Sequence, residues 1–290
     1  MTSGLVNYLH RPWGSVFKDT VAAAYRHDIT DAAAAMAFDF VFATFPGILV
    51  LTALLGISEI SPEDFKTLLE DFGLIVPAPL LIVVEENIQH VWDSSQSLFF
   101  VGILGVIWPA SASMSTTMSA LNRAYGAKEL RPFWQKRALS IVLLVSGGLS
   151  LVFLFNLIVF SAQVENWLHA HWDLTRHFPS LAGIVRPTAG IGGTIVAAAC
   201  IYRIGPNIRQ RWLDVLPGSL LFVALWSAIA YGFAYFVQNF SYYNVVYGVL
   251  GAVIVLLLSA YLVSFVLLLG GELNGRLLKE NRPGRDSRFH

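Results

Sequence analysis

Charged residues are scarce in this sequence. Only 13% of its 290 residues are Asp, Glu, Lys or Arg, about half the share found in soluble globular domains, which argues against an ordinary cytosolic enzyme. There is one cysteine, Cys200, so no intrachain disulfide and no cysteine-based metal site can form. Nineteen basic residues balance nineteen acidic ones, and without an excess of either sign no nucleic-acid partner is expected. Met1 to Trp13 lacks an apolar core followed by a small-residue cleavage site, so no cleaved signal peptide is expected. Phosphate-binding loops (G-x-x-x-x-G-K-[ST], G-x-G-x-x-G), H-E-x-x-H and G-x-S-x-G are absent from the sequence.

What is present is apolar and comes in blocks. Hydrophobic residues make up 56% of the chain and mean hydropathy is +0.61. Val215 to Gly271 runs 57 residues without an Asp, Glu, Lys, Arg or His. A bilayer crossing needs about 20 apolar residues, so this block holds two crossings and a turn, expected at 238–244. The blocks are continuous rather than alternating, which excludes a transmembrane barrel. The expected fold is therefore all-α and polytopic, a single membrane domain over 1–290. Its six transmembrane helices are expected at about 31–57, 98–121, 138–164, 181–202, 216–237 and 245–271. Residues 58–97 carry eight acids and one base, Lys66, with apolar residues at helical spacing, and read as outward-facing amphipathic helices. Trp13, Phe17, Val21, Ala24 and Tyr25 form one apolar stripe beside Arg11, Lys18 and Arg26, the pattern of an interfacial helix.

Sidedness follows from the basic residues. Sixteen of nineteen fall in the N-terminal segment, the second and fourth loops and the C-terminal tail; only Lys66, Arg176 and Arg186 lie on the other side. The positive-inside rule then places both termini in the cytoplasm of a cell bounded by this membrane. An even number of crossings requires the same.

Several stretches in order resemble the YihY/BrkB family of bacterial inner-membrane proteins, formerly labelled ribonuclease BN. They are Asp31 to Phe38 leading to Phe45-Pro46, and Trp108 to Tyr125 ending Leu121-Asn122-Arg123-Ala124-Tyr125, followed by Arg131-Pro132-Phe133-Trp134. Gly205-Pro206-Asn207 with Gly218 follows, then Tyr247 to Gly251 leading to Gly270-Gly271-Glu272-Leu273-Asn274. The resemblance covers roughly residues 28–278 and implies a six-helix protein of the bacterial inner membrane, without a defined activity. Asp39 stands where the resemblance leads one to expect an aromatic, commonly Tyr.

Candidate functional residues are few. Apart from Asp31 at its start, Asp39 is the one acid in the first crossing; a carboxylate at that depth must face a cavity, be paired or be protonated. Ser111, Ser115, Ser119 and Asn122 share one helical face, and with Asp39 form a candidate transport path or, alternatively, a small-residue packing seam. Pro46 and Pro109 are candidate helix kinks. Glu272 and Asn274, at the end of the last crossing, could pair with Arg123 or Arg203 as a cytoplasmic gate or as plain interfacial contacts. His169, His171, Asp173 and His177 match no strong zinc pattern, so no metal and no cofactor is expected. The expected function is transport or translocation of a lipid-like or small substrate, with membrane lipids as partners and a homo-oligomer allowed. Alternatives are the tRNA-processing ribonuclease of the family's old label and a structural or virulence-related envelope role. The loops on the basic side, 123–137 and 203–214, are short for an RNA-processing site, so no enzyme is expected.

Overall fold

The computed structural model describes residues 13–57, 95–147, 181–239 and 241–281. The acidic segment at 58–94, most of the third expected crossing and the histidine-containing stretch at 169–177 lie outside the described residues. All regular structure among the described residues is helical: α1 (Trp13–Arg26), α2 (Ile29–Ile57), α3 (Ser95–Tyr125), α4 (133–147), α5 (Leu181–Ile204), α6 (Trp212–Asn239) and α7 (Ser241–Asn281). Two stretches, Trp212–Gly232 and Val253–Glu280, are long and apolar enough to cross a bilayer. Residues 241–244, expected in a turn, are helical instead, and α7 runs ten residues past the expected end of its crossing. Three Leu, two Glu, Arg276 and Lys279 make up most of that extension, and all are good helix formers.

Local chemistry explains the breaks. Asp28 adopts a left-handed φ of 50° between α1 and α2, a conformation that Asp tolerates better than most residues. Gly126, with φ of 67°, ends α3 in a Schellman arrangement: its N–H donates to Arg123 O at 3.1 Å and Ala127 N–H to Asn122 O at 2.8 Å. Pro206 follows Gly205 and cannot continue α5. At the start of α6, Asp214 Oδ2 accepts from Arg211 N–H at 3.0 Å, as an acid in the first turn should. Pro46 and Pro109 sit inside α2 and α3. Each removes one rung of its helix, leaving the carbonyls of Phe42 and Gly105 without an intrahelical donor.

The described residues divide into two compact units. One contains α1, the C-terminal end of α3, α4, α5, the first half of α6 and the C-terminal part of α7; the other contains α2, most of α3, the second half of α6 and the first part of α7. In the second unit, Ala32, Ala33, Met36, Ala37, Val41 and Ala43 of α2 are buried, while Phe38, Phe40 and Phe42 are exposed. Phe38 and Phe42 stack on that outer face with ring centroids 6.0 Å apart. α2 meets α3 closely: Gly105 lies against the Pro46 ring and Gly47 against Val106. Small residues inside and large aromatics outside is the pattern of a helix whose solvent is lipid.

In the first unit, α1 packs through Val16 on Leu273 and Leu277 of α7. Thr20, Ala23 and Ala24 complete the buried face of α1, whereas Phe17, Val21 and Tyr25 are exposed, Tyr25 to 84%. Ala24 therefore belongs to the packed face rather than to the apolar stripe. The reason is size, since a small side chain lets α1 approach its neighbours closely. The remaining stripe is left free, as an interfacial helix requires.

Candidate functional site

The motifs scattered along the sequence meet in the first unit, on the last three turns of α7. Gly218, Gly270, Gly271 and Gly275 are all approached so closely that an added Cβ would lie under 3.0 Å from a neighbour. Those neighbours are Gly270 O, Gly218 O, the Leu121 side chain and Ala124 O, respectively. Gly271 and Gly275 form a G-x-x-x-G pair that brings α7 against the end of α3, the small-xxx-small device of membrane helices. This spacing is legible in the sequence but was not among the expected features.

Close backbone approach lets short amides join elements. Asn274 is fully buried; its Oδ1 accepts from Gly218 N–H at 2.7 Å and its Nδ2 donates to Val215 O at 3.0 Å. Asn122, also buried, does the same at the end of α3: its Oδ1 accepts from Asn207 N–H at 2.7 Å and its Nδ2 donates to Glu129 Oε2 at 2.9 Å. Arg131 holds the same turn, donating to Gly205 O at 3.1 Å and to Asn207 Oδ1 at 3.4 Å. Tyr202 Oη donates to Leu267 O at 2.7 Å, and Gln210 Nε2 donates to Tyr202 O. The Tyr125 phenol, buried beside Asn274 and Gln210, is pushed above its usual range by that burial. Burial likewise pushes the Lys136 ammonium down, against the pull of Glu129; this ammonium donates to Ser119 Oγ.

Glu272 is the most buried charged residue described, at 1% exposure. Its partner is His27, whose Nδ1 lies 2.7 Å from Glu272 Oε1. The expected pairing with Arg123 or Arg203 is thus replaced. Arg123 Nε donates to the His27 carbonyl at 3.2 Å, and Arg203 stacks on the Trp212 ring, 4.1 Å from its centroid. His27 is a functional candidate that sequence reading missed, because no spacing rule links positions 245 residues apart. Of the four gate candidates, Asn274 acts as a cross-link between α6 and α7, while Glu272 and Arg123 converge on His27.

The candidate path residues are divided. Asp39, Ser111 and Ser115 belong to the second unit, Ser119 and Asn122 to the first. Asp39 is half-buried. Ser111 is fully buried and its Oγ donates to Trp108 O at 3.0 Å, a bond within its own helix. One turn from Asp39, Met36 O lies 3.5 Å from Ser113 Oγ, so the hydroxyl-rich stretch of α3 runs alongside α2.

Helices that bury alanine, glycine and amide side chains while turning phenylalanine outward, with two stretches able to cross a bilayer, make this a membrane protein. The chain belongs to the BrkB family: it matches the family described as virulence factor BrkB over residues 20–289. It is 25% identical over 277 residues to the ribonuclease-like protein YfkH of Bacillus subtilis, covering 95% of this chain and 100% of that one. It is also 25% identical over 258 residues to the UPF0761 membrane protein Nmul_A0452 of Nitrosospira multiformis, covering 87% of this chain and 58% of that one. To the UPF0761 membrane protein PSHAa0171 of Pseudoalteromonas translucida it is 25% identical over 206 residues, 69% of this chain and 64% of the other. The chain therefore spans less than two thirds of these two UPF0761 relatives. No solved structure matches the chain.

Proposed function

We propose that the protein is a six-crossing inner-membrane protein, with both termini cytoplasmic, that translocates a lipid-like or small substrate without acting as an enzyme. The observation that carries this reading is Asp39, a half-buried carboxylate in a helix otherwise nearly free of charge, in the same unit as the hydroxyl-bearing Ser111, Ser113 and Ser115. A carboxylate held at membrane depth is costly unless it is paired, protonated or facing a cavity, and such residues commonly mark ion or substrate paths. Prolines in α2 and α3 support the same reading, since the carbonyls they free can serve a polar lining. The apolar exterior and the scarcity of charge favour an amphiphile over a hydrophilic solute. Without a phosphate-binding loop in the sequence, driving force comes from an ion gradient or from the substrate's own gradient.

The test is reconstitution. Liposomes carrying the protein are expected to move labelled phospholipid or monovalent cations faster than empty vesicles, with Asp39→Asn slowing the movement at least tenfold. No acceleration by the intact chain ends the transport reading. The topology is tested separately by a tag near Glu70, expected to be cut by external protease once the outer barrier is opened. The ribonuclease-like name of YfkH favours a second reading, an RNA-processing enzyme. Purified protein that trimmed tRNA ends with added divalent metal, and lost this with Glu129→Gln, would put that reading first.

A further inference from the structure

Beside the His27–Glu272 pair lies a cavity of about 220 Å³, lined by Ala23, Arg26, His27, Ala124, Glu272, Arg276 and Lys279. Its walls come from α1, the turn after it, the end of α3 and the end of α7, all within the first unit. Three permanent cations and an imidazole surround a space with one carboxylate in it, and that carboxylate is held by His27. Arg276 donates from Nη2 to Asp19 Oδ2 at 2.8 Å. Its Nε lies 3.1 Å from Glu280 Oε1 but is not aligned to donate there, so among the described residues this buried N–H has no acceptor. Arg26 and Lys279 have no ion-pair partner among the described residues. Lys279 leans instead toward Gly126, its Nζ 3.6 Å from where a Cβ would stand.

Three cations border one cavity, and two of them lack a salt-bridge partner among the described residues, a setting that suits an anion with several acceptor oxygens. The volume is below the roughly 300–1,000 Å³ of drug-sized pockets, so it suits a single headgroup rather than an entire amphiphile. Basic pockets between membrane helices take phosphate-bearing headgroups for this reason. We propose that this cavity is a phosphate-anion site, with Arg26, Arg276 and Lys279 as the binding cations and the His27–Glu272 pair as its wall. The site is independent of the transport reading, because neither Asp39 nor the α3 hydroxyls contribute to it.

The test uses the full-length protein. Its melting temperature is followed in neutral detergent with added inorganic phosphate, and in phosphatidylcholine nanodiscs with and without phosphatidylglycerol. Stabilisation by phosphate in detergent identifies a soluble phosphate compound as the ligand; stabilisation by phosphatidylglycerol alone identifies a lipid headgroup. R26Q/K279Q is expected to need roughly tenfold more anion for the same shift, while Arg209→Gln, whose charge lies outside the cavity, responds as the unaltered chain does. If R26Q/K279Q does not fold, Lys279→Gln alone is expected to weaken binding roughly fivefold. The proposal is overturned if neither anion raises the melting temperature, or if the cavity variants respond like the unaltered chain.

Discussion

The two units of this chain solve the same packing problem differently. In the first, α7 meets its neighbours backbone to backbone at Gly218, Gly270 and Gly275, and Gly271 takes the Leu121 side chain. Buried amides then join elements far apart in sequence: Asn274 to α6, and Asn122 to the turn after α5. In the second, α2 offers alanines and a proline ring, and the hydroxyls of Thr44, Ser111 and Ser259 turn back to carbonyls of their own helices. Lipid supplies no hydrogen bonds, so a polar side chain must find a partner either locally or across a contact. Cross-element bonds specify one arrangement. Self-satisfied hydroxyls leave the contact surface smooth and impose less geometry. Cross-element amides therefore specify the arrangement of the first unit more closely, while in the second Ser113 Oγ, 3.5 Å from Met36 O, ties α3 to α2.

The sharpest way to break this contrast is Asn274→Leu. It strands Gly218 N–H and Val215 C=O in a buried position and is expected to cost roughly 2–4 kcal/mol, read as a lower unfolding midpoint in detergent. Gly275→Ala comes next, at about 1–3 kcal/mol, because the added methyl would push against Ala124 O. In the second unit Ala33→Leu is expected to cost a similar amount, about 1–3 kcal/mol, since Ala33 is fully buried. Phe40→Leu, on the exposed face, should stay within about 0.5 kcal/mol. If Phe40→Leu proved as damaging as Asn274→Leu, the assignment of inner and outer faces would be wrong.

The smallest effect concerns Lys136. Its ammonium is disfavoured by burial, so the unfolded chain binds this proton more tightly than the folded one. Stability should therefore rise with pH in the window just below the ordinary lysine value of about 10.4. Melting curves of Lys136→Met across that window should lose this increment, and an unchanged pH slope would show that the group is in fact well solvated.

Much of the helix pattern could be read from the chain alone. α2, α3, α5 and α6 coincide with apolar blocks to within a few residues, because uncharged length and start and stop chemistry are local properties. The polar site was only half legible. Asn122, Glu272 and Asn274 stood out as polar residues at the ends of apolar blocks. His27 did not, because a lone histidine in a turn carries no periodic signal. The α1 stripe was legible in part: Phe17, Val21 and Tyr25 are left exposed as an interfacial helix requires, but the burial of Ala24 and the packing of Val16 on Leu273 and Leu277 were not foreseen.

Sequence by itself determined that this chain lives in a membrane, where its long helices run and that basic residues gather at particular ends, since each depends on composition within a window of about 20 residues. Tertiary structure decided which amide joins which backbone, that Glu272 meets His27, and that Arg26, Arg276 and Lys279 enclose one cavity. Those outcomes depend on close approach between residues from 56 to 245 positions apart, and such proximity is not encoded in any local pattern.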